Sequence, residues 1–249
     1  MAIGLCDIRR RAESNALWVL VAVNVAVWLV AVADVKLFHG SLVAALALPA
    51  SLQALVMRPW AVFSYMFLQT DFFHLLFNML WLVCFGRLLQ MARGGRALLG
   101  AYAGGGLAGA GVFVLAGILF PTLGAGALIG SSAAVLAVAV AAAFAVPDME
   151  IPLWLIGTVK VKWIVVVMCV LFCAGFTGSA SSVAAHAGGA AYAAAAAMWR
   201  KYSGNRSGKA HDEVAELDRL LDKVKRSGYD SLSRRDKERL FYLSHRVRR

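Results

Sequence analysis

Long, nearly uninterrupted apolar runs occupy most of the first 200 positions, and they predict helices that cross a lipid bilayer. About 20 apolar residues in a helix span a hydrocarbon core that is about 30 Å thick. Six runs approach this length, at residues 16–33, 72–91, 97–120, 132–146, 163–176 and 183–199. Their aromatic and β-branched residues do not alternate at a period of two, which argues against a β-barrel. The remaining solution in lipid is a bundle of helices.

Four apolar segments need separate interpretation. The fourth and fifth runs are short for a full crossing, and residues 128–131 and 159–162 are candidates to extend them. A further apolar stretch, 41–57, contains a proline and a glutamine, so we expect it to lie in the membrane interface. The first run follows three arginines and ends in an A-x-A sequence, as a signal peptide does. It is longer than the usual hydrophobic region of about 7–15 residues, which favours an uncleaved span.

Composition excludes the two main alternatives to a membrane protein. Hydrophobic residues make up 61% of the chain and charged residues 16%, against about 45–50% and about 25% in soluble domains. These values argue against both a water-soluble globule and a disordered chain. The chain has four cysteines with no CxxC pair, so we interpret them as small buried hydrophobes rather than disulfide partners or metal ligands.

The charge of +11 is explained by orientation in the membrane. Cytoplasmic loops of membrane proteins carry an excess of Lys and Arg. With six spans, all of the 25 lysines and arginines except Lys36 and Arg58 fall on the side that holds both termini. We therefore predict that both termini are cytoplasmic. The positive charge then gives no reason to expect a nucleic-acid partner.

The composition changes abruptly after residue 200, which predicts a second, smaller domain. The predicted division is a membrane domain at 1–200, a flexible Ser/Gly-containing linker at 201–211 and a small cytoplasmic helical domain at 212–249. Apolar residues in the last part recur at helical spacing, Gly228 ends one helix, and Ser233 with Asp236 resembles a capping signal for the next. The pattern predicts a helical hairpin, so the whole chain is expected to be all-α.

Four polar residues in the predicted spans are candidates for function, since polar groups are costly in lipid. His74 and Asn78 lie four residues apart on one face of the second span. Ser132 begins the fourth span and His186 lies near the start of the sixth, so in a six-span topology all four share one depth. A histidine can accept the proton of a serine hydroxyl, and two donors nearby can stabilise an oxyanion. Alternatively, such polar residues have no catalytic role and contribute only to helix packing.

The sequence lacks the patterns that are typical of other membrane-embedded enzymes and of nucleotide-binding proteins. There is no HExxH motif, no pair of aspartates in the middle of two spans and no Walker-type phosphate loop. No metal or cofactor is therefore expected.

At these residues the sequence resembles the rhomboid family of intramembrane serine proteases. His74-Leu75-Leu76-Phe77-Asn78 is similar to the family's HxxxN, Gly130-Ser131-Ser132-Ala133 to its GxSG, and Ala185-His186-Ala187-Gly188-Gly189 to its AHxxG. The segment 35–70 looks like the family's large first loop outside the cytoplasm. GTVKVKW at 157–163 and SGYDSLS at 227–233 look like a subgroup common in Bacteroidota, and this likeness implies a multi-pass protein of a bacterial inner membrane.

The resemblance implies a six-span bundle and an enzyme with a Ser-His dyad. Ser132 would be the nucleophile, His186 the general base, and His74 and Asn78 oxyanion donors beside the Ser132 backbone N–H. Such an enzyme hydrolyses peptide bonds in or near the transmembrane segments of single-span membrane proteins. These substrates and membrane lipids are therefore its expected partners. Ser131 is a competing hydroxyl that the motif match does not favour.

Several positions depart from the family pattern, and three of them bear on the candidate site. Ala133 replaces the second glycine of GxSG, and Gln69 stands where a histidine is common. Leu136 stands where the family has an aromatic residue that stacks on the base, so we expect His186 to be supported by aliphatic packing alone. The departures leave two alternative functions open. These are an inactive rhomboid-like protein that holds membrane clients and a small transporter, although no inverted repeat supports the latter.

Overall fold

The computed structural model describes residues 5–120, 126–153, 157–174 and 180–247, and most of these residues are helical. In chain order the helices are α1 (Leu5–Leu37), α2 (Ser41–Leu46), α3 (Leu52–Met57), α4 (Ala61–Ser64), α5 (Phe72–Arg93), α6 (Gly95–Leu119), α7 (Ser132–Ala145), α8 (Val161–Cys173), α9 (Ala180–Ser227) and α10 (Arg234–Val247). Short 3₁₀ helices occur at Tyr65–Phe67 and Tyr229–Ser231. Among the described residues, antiparallel strand pairs join β1 (Leu48–Pro49) to β2 (Ala127–Leu128) and β3 (Glu150–Leu153) to β4 (Gly157–Lys160).

The predicted spans coincide with helices α1 and α5–α9, although the six-span count remains a prediction. Within the described residues, three helical segments are long and apolar enough to cross a membrane: Asn15–Leu37, Phe72–Arg93 and Gly95–Leu119. Two further apolar helices, Ser132–Ala145 and Val161–Phe172, are shorter. The predicted end of the fifth span at Phe176 lies outside the described residues.

Helix α7 is short and lies at the centre of its neighbours. Its 14 residues give a length of about 21 Å, less than the hydrocarbon core. Helices α5, α6 and α8 pack against it, and every residue from Ala133 to Val140 is buried. The surrounding helices therefore shield most of α7 from lipid. By contrast, α1 and α5 carry exposed apolar side chains such as Leu29 and Phe73, as expected of helices that face lipid.

The first loop and the segment before α7 are held together by the first strand pair. Leu48 pairs with Leu128 and Pro49 with Ala127. The all-α prediction missed this pair, because two-residue strands far apart in sequence give no periodic signal. The proposed helical extension at 128–131 is wrong, since Leu128 belongs to β2 and Ser132 starts the helix. The predicted interfacial stretch 41–57 is broken into α2, β1 and α3, and its position in the membrane stays a prediction.

The second strand pair corrects the prediction for the region before α8. Ile151 pairs with Val159 and Glu150 with Lys160, so residues 159 and 160 form a strand and only 161 and 162 extend α8. β-branched residues at 158 and 159 favour this extended conformation. Lys162 donates to Asp148 at 2.7 Å at the base of the hairpin, and this hydrogen bond lowers the pKa of the Asp148 carboxyl group.

The chain divides into two compact units, Met1–Ala197 and Met198–Arg249. In the second unit, Leu220, Leu232 and Leu243 are buried, which gives the hairpin an apolar contact. The predicted end of a helix before Gly228 is confirmed. The predicted capping signal is also confirmed, because Asp236 N donates to Ser233 Oγ at 3.1 Å. A hydrogen bond from Lys223 lowers the pKa of Asp236.

The prediction of a flexible linker at 201–211 is wrong in its secondary structure. Helix α9 continues without interruption from Ala180 to Ser227. Glycine at 204 and at 208 costs the helix about 1 kcal/mol each relative to alanine. Once a helix is nucleated, each added residue contributes a further hydrogen bond, so good helix formers on both sides carry the helix through this segment. The domain boundary near residue 200 remains a prediction.

Candidate active site

The start of helix α5 fixes the positions of His74 and Asn78. Asp71 is the N-cap, and its carboxylate accepts a hydrogen bond from the backbone N–H of His74 at 2.7 Å. This bond satisfies one of the free N–H groups that every helix leaves at its N-terminus. His74 and Asn78 then lie one turn apart, and both line the same cavity.

The loop before α7 brings Gly130 beside the His74 ring. Gly130 has φ +126°, a conformation that L side chains rarely adopt, and a Cβ at this position would lie 2.9 Å from His74 Cε1. The N–H of Gly130 donates to the Tyr65 carbonyl at 3.0 Å, which ties the loop to the 3₁₀ helix of the first loop. Glycine is therefore required here both by the backbone conformation and by the close approach of the imidazole.

Ser132 and His186 meet between α7 and α9. Ser132 Oγ lies 2.7 Å from His186 Nε2, a hydrogen-bond distance. The helices approach closely at Gly189, where an added Cβ would overlap the carbonyl oxygen of Ala133. The small residues repeated every four positions on these helices permit this approach. His186 is only 2% exposed, while Ser132 is half-buried at the first turn of α7.

Ser131, the competing hydroxyl, lies in a different environment. Its side chain is fully buried and its Oγ accepts a hydrogen bond from Gln69 Nε2 at 3.2 Å. Ser131 does not line the cavity that contains His74, Asn78, Ser132 and His186. The geometry therefore separates the two neighbouring serines into one that faces the cavity and one that faces a buried polar network.

An aromatic residue that the sequence did not indicate supports His186. The rings of Phe172 and His186 are 4.7 Å apart between centroids at an interplanar angle of 83°, an edge-to-face arrangement. Phe172 belongs to α8. The expectation of purely aliphatic support is wrong, because the fifth apolar helix supplies the aromatic ring that position 136 lacks. No local motif includes Phe172, so only its aromatic character within an apolar run could have drawn attention to it.

The four polar residues share a cavity of about 340 Å³ with mostly apolar walls. The remaining lining residues are Phe77, Trp81, Met168, Leu171 and Phe172. Helices α5 and α8 supply these apolar walls, and Ser132 and His186 complete the lining. Within the described part of the chain, no group of three or more His, Cys, Asp or Glu side chains is arranged to hold a metal ion. The cavity thus combines a hydroxyl, an imidazole and polar donors in apolar surroundings, which suits acyl transfer.

Asn78 already uses both of its amide hydrogens within the protein. Its Nδ2 donates to Gln69 Oε1 and to the His74 carbonyl, each at 2.9 Å. The His74 carbonyl is also the acceptor for the backbone N–H of Asn78 in an α-helix. A ligand oxygen in the cavity could therefore take over that second hydrogen bond without leaving the His74 carbonyl unpaired.

Comparison with known families confirms the family resemblance of the sequence. A family model described as "Rhomboid domain" matches residues 57–202, more than half of the chain. A second model, "Family of unknown function (DUF6576)", matches residues 201–246. No curated protein matches the chain.

Proposed function

The chain belongs to the rhomboid family, a family of intramembrane serine proteases, and from this premise we propose that it is an intramembrane serine endopeptidase with a Ser132–His186 dyad. The observation that carries the proposal is the 2.7 Å contact between Ser132 Oγ and His186 Nε2. This contact lies in a cavity that also contains His74 and Asn78. A nucleophile within hydrogen-bond reach of a base is the arrangement that covalent catalysis needs.

In the proposed acylation step, His186 Nε2 takes the proton of Ser132 as Oγ attacks the scissile carbonyl carbon. The oxygen of that carbonyl becomes an oxyanion. The N–H of Ser132 is free to donate to it, since the first turn of a helix has no intrahelical partners for its N–H groups. His74 and the second Asn78 N–H are the other proposed donors. His186 then gives its proton to the leaving amine, and the acyl-enzyme forms on Ser132.

In the proposed second step, water hydrolyses the acyl-enzyme. His186 removes a proton from the water as its oxygen attacks the ester carbonyl, and the same donors stabilise the second oxyanion. Collapse of this intermediate returns the proton to Ser132. Phe172 restricts the imidazole through its edge-to-face contact, so that Nε2 faces Ser132 through both steps.

The family and the apolar helices make the chain a multi-pass membrane protein that acts on membrane proteins in lipid. We further propose six spans, both termini in the cytoplasm and single-span membrane proteins as substrates. The proposed domain division is 1–200 for the membrane domain and 212–249 for the cytoplasmic one. An apolar cavity with polar groups at its base suits a substrate helix that unwinds locally to expose one peptide bond.

Covalent labelling of the purified full-length chain tests which hydroxyl is the nucleophile. A fluorophosphonate probe is expected to label the wild type and Ser131→Ala, and to fail on Ser132→Ala. His186→Ala should also lose labelling, because the hydroxyl then lacks its base. Labelling that persists in Ser132→Ala and disappears in Ser131→Ala would reject the assignment.

A further inference from the structure

Gln69 is a buried polar residue that lies next to the proposed machinery without lining its cavity. It sits between the 3₁₀ helix Tyr65–Phe67 and α5, and its side chain is 0% exposed. A buried carboxamide is costly unless its hydrogen-bonding groups are satisfied. Both ends of this side chain are satisfied, and their partners belong to three separate parts of the fold.

The partners of Gln69 define the direction of its amide. Gln69 Oε1 accepts from Asn78 Nδ2 at 2.9 Å. Gln69 Nε2 donates to Ser131 Oγ at 3.2 Å and to Asn24 Oδ1 at 3.4 Å. A reversed amide would place two donors against each other at Asn78, so this network specifies one orientation.

The far end of the network is itself fixed. Asn24, on α1, donates to the Leu20 carbonyl at 2.8 Å and to Tyr102 Oη at 3.0 Å. The Tyr102 hydroxyl also lies 2.9 Å from the carbonyl oxygen of Met66. Gln69 is therefore connected to a rigid, buried set of groups on α1 and α6, and fully satisfied networks of this kind favour a single conformation.

The position of Gln69 has a consequence for the proposed oxyanion site, and the inference rests on the proposed function. One side of that site is the Asn78 amide on α5, and the other is the backbone N–H of Ser132, the residue after Ser131. Gln69 bonds to Asn78 itself and to the side chain of Ser131, the residue that precedes the Ser132 N–H. We propose that Gln69 is a positioning residue. It holds the Asn78 amide and the Ser131–Ser132 peptide where both can donate hydrogen bonds to the same oxyanion.

A double-mutant cycle in the full-length chain tests this proposal through kcat and KM for a transmembrane peptide substrate. Gln69→Met removes the amide and keeps most of the side-chain volume. We expect kcat to fall about 10- to 100-fold, the range that small misplacements of catalytic groups produce, with KM unchanged. In an Asn78→Ala background the same substitution should cost clearly less, because part of its effect passes through Asn78.

Two further variants separate positioning from general stability. Ser64→Ala removes a part-buried hydroxyl that donates to the Leu46 carbonyl at 2.7 Å, outside the Gln69 contacts, and should leave kcat unchanged. Gln69→Glu, in its protonated form, keeps an acceptor for Asn78 and a donor for Ser131, so kcat should stay close to wild type. If Gln69→Met does not fold, Gln69→Glu decides, and a large loss of kcat in a folded Gln69→Glu would overturn the inference.

The outcomes also distinguish this inference from the proposed function. Cleavage that depends on Ser132 but is unaffected by Gln69→Met would overturn the role of Gln69 and leave the protease assignment intact. An equal loss from Gln69→Met in the wild-type and Asn78→Ala backgrounds would also reject it. A wild-type chain with neither cleavage nor probe labelling of Ser132 would reject both.

Discussion

At the scale of single residues, the site separates into groups that local motifs identify and groups that only the three-dimensional structure brings near them. His74, Asn78, Ser132 and His186 lie in short patterns whose spacing follows helix geometry, so the sequence identified them as candidates. Phe172 and Gln69 contact these residues across different helices and belong to no such pattern. The family resemblance marked Leu136 and Gln69 as departures. It did not indicate which side chain supplies the aromatic ring that position 136 lacks, or which groups hydrogen-bond to Gln69.

The contact between Phe172 and His186 gives a residue-scale prediction. An aromatic edge-to-face pair contributes about 0.5–1.5 kcal/mol beyond area burial, so Phe172→Leu should lower kcat by about 2- to 10-fold. The physical reason is a less restricted imidazole at His186. Steady-state kinetics on a transmembrane peptide substrate measure the effect.

A matched substitution outside the cavity controls for loss of aromatic area. Phe144 lies on α7 and is 46% exposed, so Phe144→Leu should leave kcat at the wild-type value. A Phe172→Leu variant with unchanged kcat would remove the argument that this ring supports the base.

At the scale of secondary structure, the apolar periodicity predicted the long helices because each is one continuous run. It failed for elements that depend on distant partners. β1 and β2 are two residues each and pair across about 80 positions of sequence, so no local pattern reveals them. The linker prediction failed for the opposite reason. It relied on the glycine and serine residues at 203–208, but α9 continues through them as a helix.

The close approach of α7 and α9 gives an element-scale prediction. A methyl group at position 189 would overlap the Ala133 carbonyl oxygen, so Gly189→Ala should push the helices apart. We expect a lower free energy of unfolding, by about 1–3 kcal/mol as for other overpacked sites, and a loss of cleavage as Ser132 and His186 separate. Thermal unfolding in detergent and a cleavage assay measure the two effects.

Gly111→Ala is the matched control on α6, because a methyl group there meets nothing within 4 Å. Alanine is a better helix former than glycine, so this variant should be as stable as the wild type or more stable. If Gly189→Ala were as stable and as active as Gly111→Ala, the close contact between α7 and α9 would not be needed.

At the scale of the whole molecule, the candidate site is confined to the first compact unit. All residues that line the cavity lie between His74 and His186, whereas the second unit begins at Met198. The second unit has its own buried leucines and matches a separate family model over residues 201–246. Sequence composition predicted such a division, but it carried no information about what the second unit does.

Truncation after Lys209 tests whether the first unit is sufficient for catalysis. We expect kcat for a transmembrane substrate to be unchanged, because no residue of the cavity is removed. Thermal unfolding of the truncated chain shows whether the membrane domain remains folded. A folded truncation variant that has lost cleavage would show that the site depends on the second unit.

The central claim, that Ser132 and His186 form a proteolytic dyad, is tested most directly by cleavage of a single-span membrane protein in reconstituted vesicles. The wild-type chain should cleave the substrate. Ser132→Ala and His186→Ala should each reduce the rate to background, since members of a catalytic unit fail together when any one is removed. Folded Ser132→Ala or His186→Ala protein that cleaves at the wild-type rate would contradict the account.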